Sequence, residues 1–216
     1  MAYLVIAKNE GMKITHIIAM NTRGVPSLES SLMVRAMPPS QFQKAMQDAI
    51  IIDTRDAAAF GGVHIPDSFN IGFGDQMANY VGMAVEPDSN ILLVVDGETQ
   101  YWGMCTMLCR IGYDKILGYL QGGIPAWQEE GFKIASLPQV SVHDLKNKLE
   151  KNGFQHVVDI RTETEWNTGH IEVADHLVLT EMLLKGVSLK VNEEIIVTCC
   201  VGYRGNIAAS YLQQCQ

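Results

Sequence analysis

The sequence predicts an α/β fold in which a parallel sheet covered by helices on both faces is built twice in succession. An internal repeat carries this prediction. Ile51-Ile52-Asp53-Thr54-Arg55 is echoed by Val157-Val158-Asp159-Ile160-Arg161, an offset of 106 residues, and the block DTRDAAAFGGVHI aligns with DIRTETEWNTGHI without a gap. The second observation is the alternation of short β-rich runs with helical stretches, the pattern of crossover-connected parallel strands. The third is length: 216 residues with 47% hydrophobic and 19% charged residues suit two globular units of about 100 residues each.

Taken in order, each copy reads helix, strand, helix, strand, loop, helix. The first strand ends at Asp53 in one copy and Asp159 in the other. The apolar runs Ile91–Val95 and Ile195–Thr198 each stop at a polar loop, and helical stretches follow at Met104–Cys109 and Ile207–Gln214. The first copy continues through a strand at Lys115–Leu120, then Gly122-Gly123 and a helix Ile124–Glu130 closed by Gly131. Residues 132–140, with Pro138, read as the linker. Gln216 falls opposite Tyr113, so the second copy is expected to be C-terminally truncated, lacking one strand and one helix. The expected division is an extension over 1–36, a first domain over 37–134 and a second over 138–216.

Composition excludes several function classes. A net charge of −8 and an isoelectric point near 5.2 offer no basic stripe for phosphate neutralisation, so no nucleic-acid partner is expected. No apolar run approaches the roughly 20 residues of a membrane span, and charges interrupt the N-terminus MAYLVIAKNEGMKITH where a secretory core would be unbroken. The expected setting is cytoplasmic, without membrane association. Cysteines 105, 109, 199, 200 and 215 form neither a disulfide framework nor paired CxxC elements, so free thiols are expected.

The motifs DTR and DIR, VHIP and GHIE, CCVGYR, and GGIPAW together resemble the rhodanese superfamily over roughly residues 38–216. The resemblance implies two rhodanese-like domains and sulfur transfer through a cysteine persulfide. It also implies a small sulfur donor, such as thiosulfate or glutathione persulfide, and a thiol acceptor. The segment YVGMAVEPDSNILLVVDGE is further similar to the inactive rhodanese module that follows metallo-β-lactamase-fold persulfide dioxygenases. By that comparison the first 18 residues or so would be a remnant of a dioxygenase domain. An iron site needs several His and carboxylate ligands and only His16 lies there, so no metal and no cofactor is expected.

The candidate nucleophile is Cys199, which the C-x-x-G-x-R register selects over Cys200. An ordinary thiol with a pKa of about 8.5 is only a few per cent ionised at neutral pH, so the loop must stabilise the thiolate. Its place between a parallel strand and a helix N-terminus would aim backbone N–H groups and the positive helix end at the sulfur. Cys200, Val201, Gly202, Tyr203 and Gly205 complete the loop, the glycines allowing tight curvature. Arg204 could favour the thiolate or bind an anionic donor, or hold the loop through carbonyls. The C-x4-R spacing resembles sulfurtransferases, whereas rhodanese-fold phosphatases resemble C-x5-R. Gly205 departs from the usual Ser or Thr, which removes a hydroxyl donor.

In the first copy Asp96 replaces the cysteine and Tyr101 stands opposite Arg204, so that loop is expected to be silent; Glu98 would also repel thiosulfate. Cys105 and Cys109 suit a buried helix face. Asp159 and Arg161, like Asp53 and Arg55, are read as structural support at strand ends. His170 and His64 anchor the following loop in this reading, and His143, His156 and His176 take surface or packing positions. The short second copy would expose apolar surface and a sheet edge. Tyr3–Ala7 or Ile14–Ile18 could cover it, within the chain or across a homodimer. A non-catalytic interaction module is the alternative to a sulfurtransferase.

Overall fold

The computed structural model describes residues 35–152, 156–187 and 194–214. In the first half, strands β1 (Ala36–Met37), β2 (Ile50–Asp53), β3 (Phe69–Asn70), β4 (Ile91–Val94) and β5 (Ile116–Leu120) form one parallel sheet in the order β1-β5-β4-β2-β3. In the second half, β6 (His156–Asp159), β7 (Ala174–His176) and β8 (Ile195–Thr198) form a parallel sheet in the order β7-β6-β8. The second sheet repeats the β4-β2-β3 end of the first. Asp53 pairs with Val94 just as Asp159 pairs with Thr198.

The helices of the first half are α1 (Pro39–Ala45), α2 (Ala57–Gly62), α3 (Met77–Ala84), α4 (Glu98–Arg110) and α5 (Gly123–Glu129). Those of the second are α6 (Val142–Asn152), α7 (Glu163–Thr168), α8 (Leu179–Lys185) and α9 (Tyr203–Gln214). Local sequence explains their starts. The Asp56 side chain accepts the Ala59 N–H at α2, Pro39 supplies the fixed φ of the first turn of α1, and Thr162 with Glu165 closes a reciprocal capping box on α7.

Successive residues of β2 and β4 point to opposite faces, as strand periodicity requires. Ile51, Leu92 and Val94 pack with Phe42, Leu120, Ile124 and Trp127, whereas Ile52, Ile91 and Leu93 pack with Met77, Val81, Tyr101 and Leu108. This second cluster does not stop at the first half: it runs on through Val158, Ile160, Leu179, Met182, Ile207 and Tyr211. The two sheets therefore turn equivalent faces toward one shared core, with α3 packed on α8 and α9 packed on β3.

One feature differs from the expectations and one adds to them. The predicted element order misses β3 with α3 and β7 with α8, because strands of two and three residues are too short to show a period. Residues 132–140 are not a free connector. His64 and Ala135 exchange backbone hydrogen bonds of 2.9 and 2.8 Å, Leu137 N–H donates to Gly61, and the Gln139 amide donates to Ala57, so the segment is strapped to the first half. Tyr3–Ala7 and Ile14–Ile18 lie outside the described residues.

Polar contacts fix α9 on the first half. The Asn70 N–H donates to Ser210 Oγ at 3.0 Å, and Asn206 Nδ2 donates to Ala57 O at 2.9 Å and to Asn70 Oδ1 at 3.2 Å. Asn206 is buried, and among the described residues no buried side-chain polar atom lacks a partner. Asn206→Ala would remove the donor to Asn70 Oδ1 and one of the donors to Ala57 O, and is expected to cost about 2 kcal/mol. Urea unfolding should show a lower midpoint at unchanged slope, and an unchanged midpoint would mean that these bonds do not hold α9 in place.

Candidate active site

The site is assembled at the C-terminal edge of the second sheet. Asp159, buried at the end of β6, accepts the Arg161 N–H at 3.0 Å and binds its guanidinium, with Nη2 at 2.6 Å; Nη2 also donates to Gly169 O at 2.8 Å. Asp53 and Arg55 build the same clasp in the first half, with the far end on Val63 O. His170 Nδ1 lies 3.0 Å from Trp166 O and its ring stacks on Trp166 at 3.6 Å, as His64 stacks on Phe60 at 3.9 Å. His176 closes the stack from the other side, 4.5 Å from Trp166, with Nε2 2.9 Å from Arg161 O. His170 and His176 thus both stack on Trp166 of α7.

The loop leaves β8 at Thr198, runs through Cys199, Cys200, Val201 and Gly202, and enters α9 at Tyr203. Gly202 has φ +82°, a conformation that disfavours a side chain. The turn brings the N–H groups of Gly202 and Gly205 each within 3.2 Å of Cys199 Sγ. The first turn of a helix leaves its N–H groups without intrahelical acceptors, and here the sulfur occupies the place that a capping oxygen would take. Two backbone donors at the start of α9 thus converge on Cys199 Sγ. A Cβ added at Gly205 would sit 3.4 Å from that sulfur, so glycine in place of Ser or Thr also leaves the thiol more open.

Arg204 does not reach a carbonyl or the sulfur. Its Nη1 and Nη2 donate to Glu165 Oε2 and Oε1 at 2.7 and 2.6 Å, a bidentate pair that holds the carboxyl far below the usual range and pushes the guanidinium up. Cys200 is exposed, and its thiol donates to Glu165 Oε1 at 3.1 Å; that bond is the main cause raising the thiol above its ordinary value. Val201 is 83% exposed at the tip. Glu165 thus joins the loop to α7, a role that sequence reading missed because residues 165 and 204 meet only in space. The aligned first-copy residue is Ala59, so the repeat pointed nowhere near it.

The first half also borders the loop. Tyr203 donates its hydroxyl to Gly72 O at 3.0 Å, and its ring lies 6.0 Å from that of Tyr80 on α3. Burial raises the Tyr80 phenol, and the charges of Arg204, Cys199 and Glu165 act on it. Tyr80 and Gly72 are further residues that the sequence did not single out.

The corresponding loop of the first half has a different shape. α4 begins at Glu98, two residues after Asp96, and the Asp96 N–H is taken by Gln100 Oε1 at 2.7 Å. Tyr101 is fully buried against Tyr119, 4.8 Å between ring centres. Cys105 on the same helix is buried and pushed up to about 11 by that burial. Cys215 lies outside the described residues. Among the described residues no group of three or more His, Cys, Asp and Glu could hold a metal ion, and no helix is long and apolar enough to cross a membrane.

Two parallel α/β sheets around a shared core, with a cysteine cradled at a helix N-terminus, define a protein of the thiol-loop α/β class. The family model for the rhodanese-like domain matches residues 38–130 and again 141–216, and the chain belongs to that family. It is 30% identical over 79 residues to the thiosulfate sulfurtransferase GlpE of Shewanella oneidensis, covering 37% of this chain and 75% of GlpE. It is 28% identical over 80 residues to YrkF of Bacillus subtilis, named a putative sulfur carrier protein, covering 37% of this chain and 43% of YrkF. The match therefore spans under half of YrkF. Among solved structures, SseA of Escherichia coli, described among 3-mercaptopyruvate sulfotransferases, aligns over 84% of this chain and 93% of its own at 20% identity and a TM-score of 0.39.

Proposed function

We propose that the protein is a rhodanese-like sulfurtransferase or sulfur carrier in which Cys199 holds the transferred sulfur. The observation that carries this reading is the convergence of the Gly202 and Gly205 N–H groups on Cys199 Sγ. The thiolate attacks the outer sulfur of thiosulfate, a new S–S bond forms, the old one breaks, and sulfite leaves with its electron pair. A persulfide donor R–S–SH reacts likewise, leaving R–S⁻. An acceptor thiolate then takes the outer sulfur and returns Cys199 as thiolate. The cradle that held the thiolate also holds the terminal persulfide, because both put negative charge at the helix N-terminus.

The division into domains at 37–134 and 138–216, and the reading of 1–36 as a dioxygenase remnant, belong to this proposal, as does a cytoplasmic setting. A second role is supported for the first half: with its loop closed by Gln100 and its α3 and β3 packed on α8 and α9, it acts as a scaffold for the Cys199 loop. The test of the main reading is intact-mass analysis after exposure to thiosulfate and, separately, to glutathione persulfide. A gain of one sulfur atom, reversed by dithiothreitol, is expected. No gain with either donor would leave the interaction-module reading in its place.

A further inference from the structure

Both guanidinium groups beside the loop are already occupied. Arg161 is clasped by Asp159 and Arg204 by Glu165, each through two nitrogens. Arg161 and Arg204 both lie near Cys200. Glu165 takes the end-on edge of Arg204 and Asp159 the side-on edge of Arg161, so a sulfonate meets both cations already paired with a carboxylate. The two pairs cancel in charge, and the charge left at the loop when Cys199 reacts is its own thiolate. A dianion approaching that thiolate meets repulsion that the neutralised pairs do little to offset.

We infer that Glu165 is a specificity-determining residue that, by occupying Arg204, turns the Cys199 loop away from dianionic donors such as thiosulfate and toward hydropersulfides, R–S–SH. The inference rests on the sulfur-transfer reading of the same site. In the favoured reaction the Cys199 thiolate bonds to the outer sulfur of R–S–SH, the S–S bond of the donor breaks, R–S⁻ departs with the electron pair, and the proton stays on the transferred sulfur. In its protonated form the reacting end of that donor is uncharged, so the paired arginine is no handicap. Thiosulfate brings two negative charges to the same place.

The test compares kcat/KM for thiosulfate with that for 2-hydroxyethyl persulfide, whose carbon end is neutral, in the full chain and in Glu165→Gln. Gln keeps the size of the side chain and its place in the capping box, but releases Arg204 from its ion pair. The thiosulfate-to-persulfide ratio is expected to rise by at least about five-fold, the scale of one unit charge at contact distance in a near-aqueous setting. A smaller rise overturns the inference. Glu165→Ala is the second variant, since Thr162 Oγ1 still accepts the backbone N–H of residue 165, and the ratio should move the same way.

A loop that is merely loosened would slow both donors together and leave the ratio in place, so the ratio separates charge control from disorder. Sulfur uptake by the wild type with an unmoved ratio in both variants defeats the role of Glu165 alone. Failure of the wild type to take sulfur from either donor defeats the sulfur-transfer reading and this inference with it.

Discussion

Cys199→Ser is expected to abolish sulfur uptake, leaving no detectable one-sulfur mass gain, while Cys200→Ser retains it. A serine hydroxyl does not ionise near neutral pH and cannot serve as the thiolate nucleophile, although the two backbone N–H groups would still point at its oxygen. The neighbouring thiol cannot replace it. Cys200 points to α7, where Glu165 Oε1 accepts its proton at 3.1 Å and raises its pKa, so the side chain is kept as thiol. Intact-mass measurement of both variants after donor exposure decides the matter. Uptake by Cys199→Ser together with its loss in Cys200→Ser would move the nucleophile to Cys200.

Asp159→Asn is the substitution expected to cost the most stability, on the order of 3 kcal/mol at neutral pH, the usual result of removing one partner from a buried ion pair. Asp159 is 1% exposed as a side chain and Arg161 18%, so the orphaned guanidinium could not easily return to water. Burial pushes the Asp159 carboxyl up, but its hydrogen bonds to Arg161, that charge and the nearby His176 outweigh burial and hold it below its ordinary value. A depressed folded value means that the contribution is present above the unfolded pKa of about 3.9 and is lost as pH falls through the folded value. Urea unfolding of wild type and variant should therefore show a wide gap at pH 7 that narrows in acid below about pH 4. A gap that is constant or grows in acid would show that the carboxylate charge is not the source. The Cys199 loop should lose order with the clasp, because Arg161 also ties Gly169 and supports the Trp166, His170 and His176 stack.

Much of the fold and of the loop is legible in the order of residues alone. The aligned blocks around Asp53 and Asp159 predict two equivalent strand ends, and both become the same clasp, built from the same atoms. The run from Cys199 to Gly205 reads as a cradle at a strand-to-helix turn, and the order of residue types is enough because backbone N–H groups supply the cradle. The first loop reads as silent from Asp96. Its closure by Gln100 and the early start of α4 are not visible in the same way, because they depend on where the helix begins rather than on which residue replaces the cysteine.

Chain order therefore specifies the α/β class, the twofold repeat, and the residue in each loop that does or does not carry a thiol. These follow from patterns between near neighbours: apolar runs, glycine positions and spacing along one segment. The surroundings of the thiol are set by folding in three dimensions. Arg204 is held by Glu165 from α7, Tyr203 bonds Gly72 of the other half, and Tyr80 stands beside it on α3. The physical reason is that ion pairing and ring packing depend on separation in space, and these partners are brought together by the shared core between the two sheets, not by any spacing along the chain.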